Sequence, residues 1–299
     1  MAELAKHTGN MPVNSVEEDA VSPWKEAWHS FRKNRLALIG LFIVLFFIFI
    51  AAIAPYIAPY SFRDQVLADR FLPPSEKHWF GTDDFGRDIF SRILYGARIS
   101  LWVGFFSVLA SSIIGTFLGI IAGYYGRWVD GLISRLFDIM LAFPSILLAI
   151  AIVAILGPSL RNALIAIAVI NIPNFGRLVR SKVLSVKQEE YIMSAKAVGM
   201  KDSRILFRHI LPNSITPVIV QATLAIATAI IEAAALGFLG MGARPPEPEW
   251  GRMLADSKNY LMQAPWTLFF PGMAIMLTVL GFNLMGDGLR DVLDPKMKN

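Results

Sequence analysis

Hydrophobic residues in this chain fall into long unbroken runs, with the polar residues gathered between them. Positions 36–57 carry no charge over 22 residues. As a helix rising 1.5 Å per residue, this run reaches about 33 Å, enough to cross a hydrocarbon core of about 30 Å. Runs at 100–124, 133–156, 160–172, 215–239 and 268–285 repeat the pattern. The fourth is short and is expected to continue through Pro173 toward Val179. The pattern predicts an all-α, polytopic membrane protein with six transmembrane helices. Its expected organisation is a tail at 1–35, a first span at 36–57, a loop with an amphipathic helix at 58–99, a five-helix core at 100–286 that includes a polar loop at 180–213, and a tail at 287–299. The first run starts too late and is too long for a signal peptide. Pro55 follows the small residues Ala52 and Ala54 and should block cleavage, so 36–57 is read as an uncleaved span.

Composition agrees. Hydrophobic residues make up 55% of the 299 residues and charged ones 17%, against about 25% charged in soluble domains. The net charge of +5 calls for no nucleic-acid partner, because the basic residues follow the topology. With the N-terminus inside, 18 of the 28 Lys and Arg residues fall on the inner side, and the six in the 58–99 loop are balanced by six acids. This asymmetry puts both termini in the cytoplasm, and Ser61 and Asn259 outside. There is no cysteine, hence no disulfide and no thiolate metal site. His7, His29, His78 and His209 are scattered. No HExxH, Walker-type GxxxxGK[ST] or GxSxG pattern occurs, and Gly240-Met241-Gly242 lacks the third glycine of a dinucleotide loop. No metal site, no catalytic residue and no means of hydrolysing ATP are expected in this chain.

Within the spans, Ser111, Gly115, Gly119 and Gly123 recur at four-residue spacing. They share one helix face on which backbones approach closely. Packing inside this subunit is favoured over contact with a partner subunit. Pro144, Pro217 and Pro271 interrupt spans, which buried backbone beside a pathway tolerates better than lipid-exposed backbone. Glu232 is the ionisable residue well inside a span. An intramembrane carboxylate is costly, and a pathway role is the hypothesis it raises. A structural, hydrogen-bonded Glu232 is favoured, because it stands only about two turns from the end of its span.

The polar segment 191–213, YIMSAKAVGMKDSRILFRHILPN, reads as two short helices broken at Gly199 and stopped at Pro212. Ser185 and Gln188 have capping-box spacing, with Glu189 and Glu190 suiting the first turn. Ala195 and Gly199 share a nearly bare face bordered by Lys196 and Lys201. Gly199 suits the left-handed residue that ends a helix. Asp202 is placed to cap the next helix, whose apolar stripe is Ile205, Leu206, His209 and Ile210. A lipid-surface helix would present larger apolar residues than this face does, so a close protein partner is expected. Earlier in the chain, Asp83 to Arg98 reads as a surface helix capped by Thr82 or Asp83. Ile89, Ile93 and Leu94 form its apolar side, an Asp88–Arg92 pair is expected, and its charges are read as a solvated, self-paired face. Pro245 to Pro248 should be stiff and extended.

The segment resembles the EAA loop of ABC-importer permeases, whose pattern is E-A-A, three residues, Gly, nine residues, I-x-L-P. Ala195, Gly199, Leu211 and Pro212 fall in register. Met193 and Ser194 replace the Glu and the first Ala, and His209 replaces the Ile. GTDDFGRD at 81–88, Ser91-Arg92, Tyr95-Gly96-Ala97-Arg98, ALGFLGMG at 235–242, PPEPEWG at 245–251 and GFNLMGDGLRDVLDP at 281–295 resemble C-type permeases of the peptide and nickel branch. The likeness covers most of 36–295.

The resemblance implies a type I ABC-importer permease fold in a bacterial inner membrane. It implies half of a translocation pathway for di- or oligopeptides, with nickel chelates, glutathione and haem as alternative cargoes. The implied partners are a homologous B-type permease, two ATPase subunits that use the ATP, and a periplasmic peptide-binding protein. Glu190, Ala195, Lys196, Gly199, Asp202, Leu211 and Pro212 would couple to the ATPases. The loop with Pro246, Glu249 and Trp250 is read either as a contact for the binding protein or as a cap on the bundle. The rival of another class is a proton-coupled secondary transporter with Glu232 as carrier. Against it stand the lack of further intramembrane carboxylates and of an internal repeat.

Overall fold

The structure, a computed structural model, describes residues 23–293. Most of the expected tail at 1–35 and the end of the 287–299 tail, with Lys6, Pro295, Lys296 and Lys298, lie outside those residues. Among the described residues the protein is all helical, with one isolated antiparallel pairing between Thr82 and Asp88. The helices are α1 Pro23–Lys33, α2 Arg35–Ile57, α3 Ile89–Tyr125, α4 Arg127–Leu141, α5 Ser145–Leu156, α6 Leu160–Val186, α7 Glu190–Ala197, α8 Asp202–Ile205, α9 Leu211–Phe238, α10 Trp250–Ser257 and α11 Trp266–Leu293. Helix α1 belongs to the expected tail. Asn34 ends it and caps α2, its Oδ1 accepting from Leu36 N and Ala37 N.

Five helical stretches are long and apolar enough to cross a membrane: α2, α3, α6, Asp202–Phe238 and α11. The remaining expected span, 133–156, is not one helix. It is α4 and α5, meeting at 93°. Pro144 lacks the N–H that would continue the ladder, and its ring disfavours helical backbone at Phe143. The other prolines expected to interrupt spans, Pro217 and Pro271, sit inside continuous helices.

The broadest contact is α3 against α6. A Cβ added at Gly115 would lie 2.6 Å from Phe175 Cβ, one at Gly119 2.5 Å from Gly176 O, and one at Gly123 2.8 Å from Val183 Cβ. The glycine ladder therefore packs within this subunit, as favoured from its spacing. The Phe137 ring of α4 fills the space over Gly176. Arg180 of α6 binds Asp130 of α4 at 2.5 and 2.7 Å, and Arg177 pairs with Asp138. On the other side α11 packs on α2 and α9, with Gly40 against the α11 backbone and Gly281 against Ile43. Phe42, Phe49, Phe117 and Ile155 remain exposed, which suits lipid.

The 81–98 region departs from its expected form. Residues 81–88 form a turn, and α3 starts at Ile89 with Asp88 as its cap, Oδ2 accepting from Ser91 N at 2.7 Å. The surface helix and the second span are one helix of 37 residues. Ile89, Ile93 and Leu94 are buried as expected. The charges are buried too: Asp83, Arg87, Asp88 and Arg92 all lie inside. Arg87 Nε donates to Asp83 Oδ2 at 2.6 Å, Arg92 Nε lies 3.6 Å from the same oxygen, and Asp88 Oδ1 meets His78 Nδ1 at 2.9 Å. The expected Asp88–Arg92 pair is thus replaced by Asp83–Arg92. Folding the 58–88 loop back over the helix start removes water from both faces, so the charges find one another.

A substitution test follows from the α3–α6 contact. Gly119→Leu should lower the midpoint of thermal unfolding in detergent strongly, because overpacking, which forces side chains off their rotamers and shifts backbone, costs about 1–3 kcal/mol or more. Gly131→Ala in α4, where an added Cβ meets nothing within 4 Å, should hold or raise it.

Candidate functional site

The 190–213 segment lies at the α3 C-terminal end of the bundle. Helix α6 runs beyond the end of its apolar stretch to Val186. Ser185 is therefore spent in the last turn of α6, and its carbonyl accepts from Gln188 N. The capping box expected at Ser185 and Gln188 does not form, and α7 starts at Glu190. Ile192 is fully buried and anchors the short helix. At its end Gly199 has φ +80. Gly199 N donates to Lys196 O at 2.9 Å and Met200 N to Ala195 O at 3.0 Å, the pair of bonds that closes a helix over a left-handed glycine.

Helix α8 starts at Asp202, but Asp202 is not its cap. Its Oδ1 instead accepts from the hydroxyl of Tyr124 at 2.5 Å. Ile205 and Ile210 of the expected stripe are fully buried, and Leu206 and His209 half-buried. Pro212 does not stop the helix. Residues 206–210 form a wide π turn, in which Leu211 N reaches Leu206 O. Pro212 cannot donate to the carbonyl four residues back and its ring would press on it. The extra residue in the turn relieves that conflict, so Asp202–Phe238 continues as one rod.

Among the expected coupling residues, Glu190, Lys196, Gly199, Asp202 and Pro212 are exposed, and Ala195 and Leu211 half-buried. The surface around them is less bare than its spacing suggested. Met193, Val198 and Phe207 project there, with Val198 88% and Phe207 73% exposed. Only Met193 stands out in the sequence, as the replacement for the motif's Glu; Val198 and Phe207 carry no periodic signal inside a polar, basic segment. The segment thus offers a left-handed turn flanked by exposed apolar side chains and two lysines, a projecting knob on the surface.

Glu232 is half-buried in α9, where Asn171 Nδ2 of α6 donates to its Oε2 at 3.1 Å. This is the hydrogen-bonded setting favoured for a structural carboxylate. Toward the α7 end, between α6, α9 and α11, a cleft of about 660 Å³ is lined by Lys182, Asn213, Gln221 and Arg290, among others.

At the opposite end, Pro245 to Pro248 are not extended. The Pro245–Pro246 bond is cis, and Glu247 N closes a turn on Arg244 O at 3.0 Å. Arg92 Nη1 donates to Pro246 O at 3.3 Å and Phe62 O at 3.1 Å. Pro246 borders a cleft of about 660 Å³ with Asp84, Arg87, Arg252 and Asp256. Burial and the neighbouring Asp83 hold the Asp84 carboxyl above its usual value. Glu249 and Trp250, expected at a partner surface, are inside. The Trp250 indole donates to Ile93 O at 3.1 Å, and Glu249 accepts from Gly251 N at 2.7 Å and Arg252 N at 2.8 Å to cap α10. The glycines of the neighbouring motifs make this room: a Cβ at Gly237 would meet Glu249 Oε2 at 2.2 Å, and one at Gly96 would meet Pro248 O at 2.3 Å.

Comparison with known proteins fits this arrangement. The family model for the binding-protein-dependent transport system inner membrane component matches residues 115–299. The chain belongs to that family. A second model, the N-terminal TM domain of oligopeptide transport permease C, matches residues 22–74. The dipeptide transport system permease protein DppC of Alkalihalophilus pseudofirmus is 65% identical, over 97% of this chain and 95% of its own length. The glutathione transport system permease protein GsiD of Pectobacterium atrosepticum is 50% identical, over 93% of each chain. The di/tripeptide permease DppC of Pseudomonas aeruginosa is 47% identical, over 97% of this chain and 98% of its own. Among solved structures, an inward-facing form of the MetNI methionine ABC transporter has a chain with TM-score 0.56 and 20% identity, over 67% of this chain and 96% of that one. The binding-protein-dependent permease described here is thus a multi-pass membrane protein with the ABC-importer permease fold.

Burial pushes the Glu249 carboxyl up to about 7 against the two backbone N–H groups and Arg252 that favour its ionised form. A carboxyl raised on folding adds stability below its ordinary value of 4.5 and loses it as pH rises to about 7. Thermal unfolding midpoints of the purified permease should therefore fall between pH 5 and 8. Glu249→Gln should flatten that slope. An unchanged slope in the variant would assign the pH dependence to other groups.

Proposed function

We propose that this chain forms half of the translocation pathway of an ATP-driven importer of di- and oligopeptides. One observation carries the reading: the α7–α8 knob, closed over Gly199 and exposing Met193, Val198 and Phe207, stands at one end of a bundle belonging to this permease family. It would seat an ATPase in the cytoplasm. The partners would be a homologous B-type permease, two ATPase subunits that bind and hydrolyse ATP, and a periplasmic peptide-binding protein. The chain itself would be non-catalytic and lie in the bacterial inner membrane. Closure of the ATPases on ATP would push on the knob and tilt the spans. The dipeptide cargo rests on the 65% identical relative. Glutathione, itself a tripeptide, is the second reading, favoured by the 50% identical GsiD relatives.

Reconstitution of the complete complex in proteoliposomes, with peptide-loaded binding protein outside and ATP inside, tests both. Labelled dipeptide should accumulate, and competition with unlabelled glutathione decides between the cargoes. Gly199→Val forces a β-branched residue into left-handed backbone at a cost of about 1–2 kcal/mol. It should uncouple ATP hydrolysis from uptake or release the ATPases, and Ala195→Trp should act likewise through bulk. Lys201→Ala on the rim should import normally. Normal import by both bulky variants with intact stoichiometry would show that this segment is not the ATPase seat.

Both termini would be cytoplasmic. The cysteine-free chain makes this direct to check with single cysteines at Ser61, Ser203 and Asn259. An impermeant thiol reagent on intact spheroplasts should label the first and third and spare the second. The reverse pattern would invert the topology.

A further inference from the structure

Four helices meet on Tyr124. It sits in the last turn of α3 and is 5% exposed. Its hydroxyl donates to Asp202 in the first turn of α8 at 2.5 Å. The ammonium of Lys196, in the last turn of α7, lies 5.0 Å from its ring centroid. Lys187, at the end of α6, stands 5.6 Å from the same ring and donates to the Tyr124 carbonyl at 2.6 Å. That carbonyl belongs to the open last turn of α3, where a cation is favoured by the helix dipole.

These contacts matter because the knob has few others on α3. Neither α7 nor α8 packs broadly on α3. Helix α7 is held by Ile192 in the core, by the Tyr191 hydroxyl accepting from Asn213, and by Lys196 over Tyr124. A push on the knob has two routes into the bundle: along the 202–238 rod, or sideways through Tyr124 into α3. Helix α3 is rigidly joined to α6 by the glycine ladder and reaches the buried Asp83–Arg92 cluster at the far end.

We infer that Tyr124 is a positioning residue for transport: it ties the ATPase-seating helices to α3, so that displacement of the knob moves α3 and α6 together with α9. The inference rests on the reading of 190–210 as the ATPase seat. The ring and the hydroxyl make separate contributions. The ring receives Lys196 and Lys187, and the hydroxyl holds Asp202.

The experiment uses the complete complex in proteoliposomes and reads peptide imported per ATP hydrolysed. Tyr124→Phe keeps the ring and removes the bond to Asp202. That ratio should fall about tenfold, the scale of a lost hydrogen bond to a charged group, while subunit stoichiometry stays normal and ATP hydrolysis continues. Asp202→Ala should reproduce the loss, and the double variant should be no worse than either single one, as expected for two ends of one interaction. Asp202→Asn keeps an acceptor and should retain most of the coupling. A purely structural tyrosine would instead lower assembly and leave the ratio of surviving complexes unchanged. A wild-type ratio in Tyr124→Phe, or additive losses in the double variant, overturns the inference. If the wild-type complex itself imports nothing with ATP, the importer reading falls and takes the inference with it.

Discussion

The structure depends on how closely α3 approaches α6. In lipid, hydrocarbon surrounds a helix as readily as another helix does, so burial alone gives little drive for association. Steric fit must supply it. Gly115, Gly119 and Gly123 bring the α3 backbone within contact of Ile172 O, Gly176 O and Arg180 O, with no Cβ between. Gly176 answers from the α6 side and receives the Phe137 ring, which fixes α4. Once that pair is set, the ion pairs from Arg177 and Arg180 can lock α4 across it. Both the knob end and the far end inherit their positions from this contact.

The far end adds a different constraint. Burying Asp83, Arg87, Asp88 and Arg92 is costly unless every charge is paired and hydrogen-bonded. Here the pairing is supplied by three segments at once: the 58–88 loop through Phe62 O, His78 and Asp83, the helix start through Asp88, and the proline turn through Pro246 O. None of these segments has a large apolar core of its own. The cluster and the Trp250 anchor therefore hold the end together, and glycines at 96, 237 and 251 exist to let them close. The motifs that mark the family at this end are those whose side chains or missing side chains build this closure.

Much of this was legible in the sequence because hydrophobic length, small-residue spacing and left-handed glycines are local signals. The glycine ladder at 115, 119 and 123 fixed a face, and Gly199 a helix end. Three features were not local. The 133–156 run is apolar throughout its second half, so Pro144 reads as an interruption within one span, whereas it separates α5 from an α4 tied to α6 through Asp130 and Asp138. Pro212 reads as a stop because the wide turn that accommodates it leaves no mark in composition. Arg92 and Asp83 read as surface charges because what covers them is an irregular loop at 62–78 and a turn at Pro246, 154 residues from Arg92.

The helix that carries the knob also sets what a push can do. Asp202–Phe238 is one rod, entered through a π turn and joined to α6 by Glu232 and Asn171, about two turns from its far end. A stiff rod alone would turn about that bond, swinging the knob end through the larger arc. The far end, however, packs against α10 and its buried Glu249 cap, so it resists. The wide turn at 206–210 is the place along the rod where the regular ladder is broken, and there bending costs least. In the importer reading, motion at the knob is therefore absorbed at the turn unless a second tie carries it onward. The hydroxyl of Tyr124 attaches before that turn, at Asp202, and delivers the displacement to α3, whose glycine contact with α6 leaves no slack to absorb it.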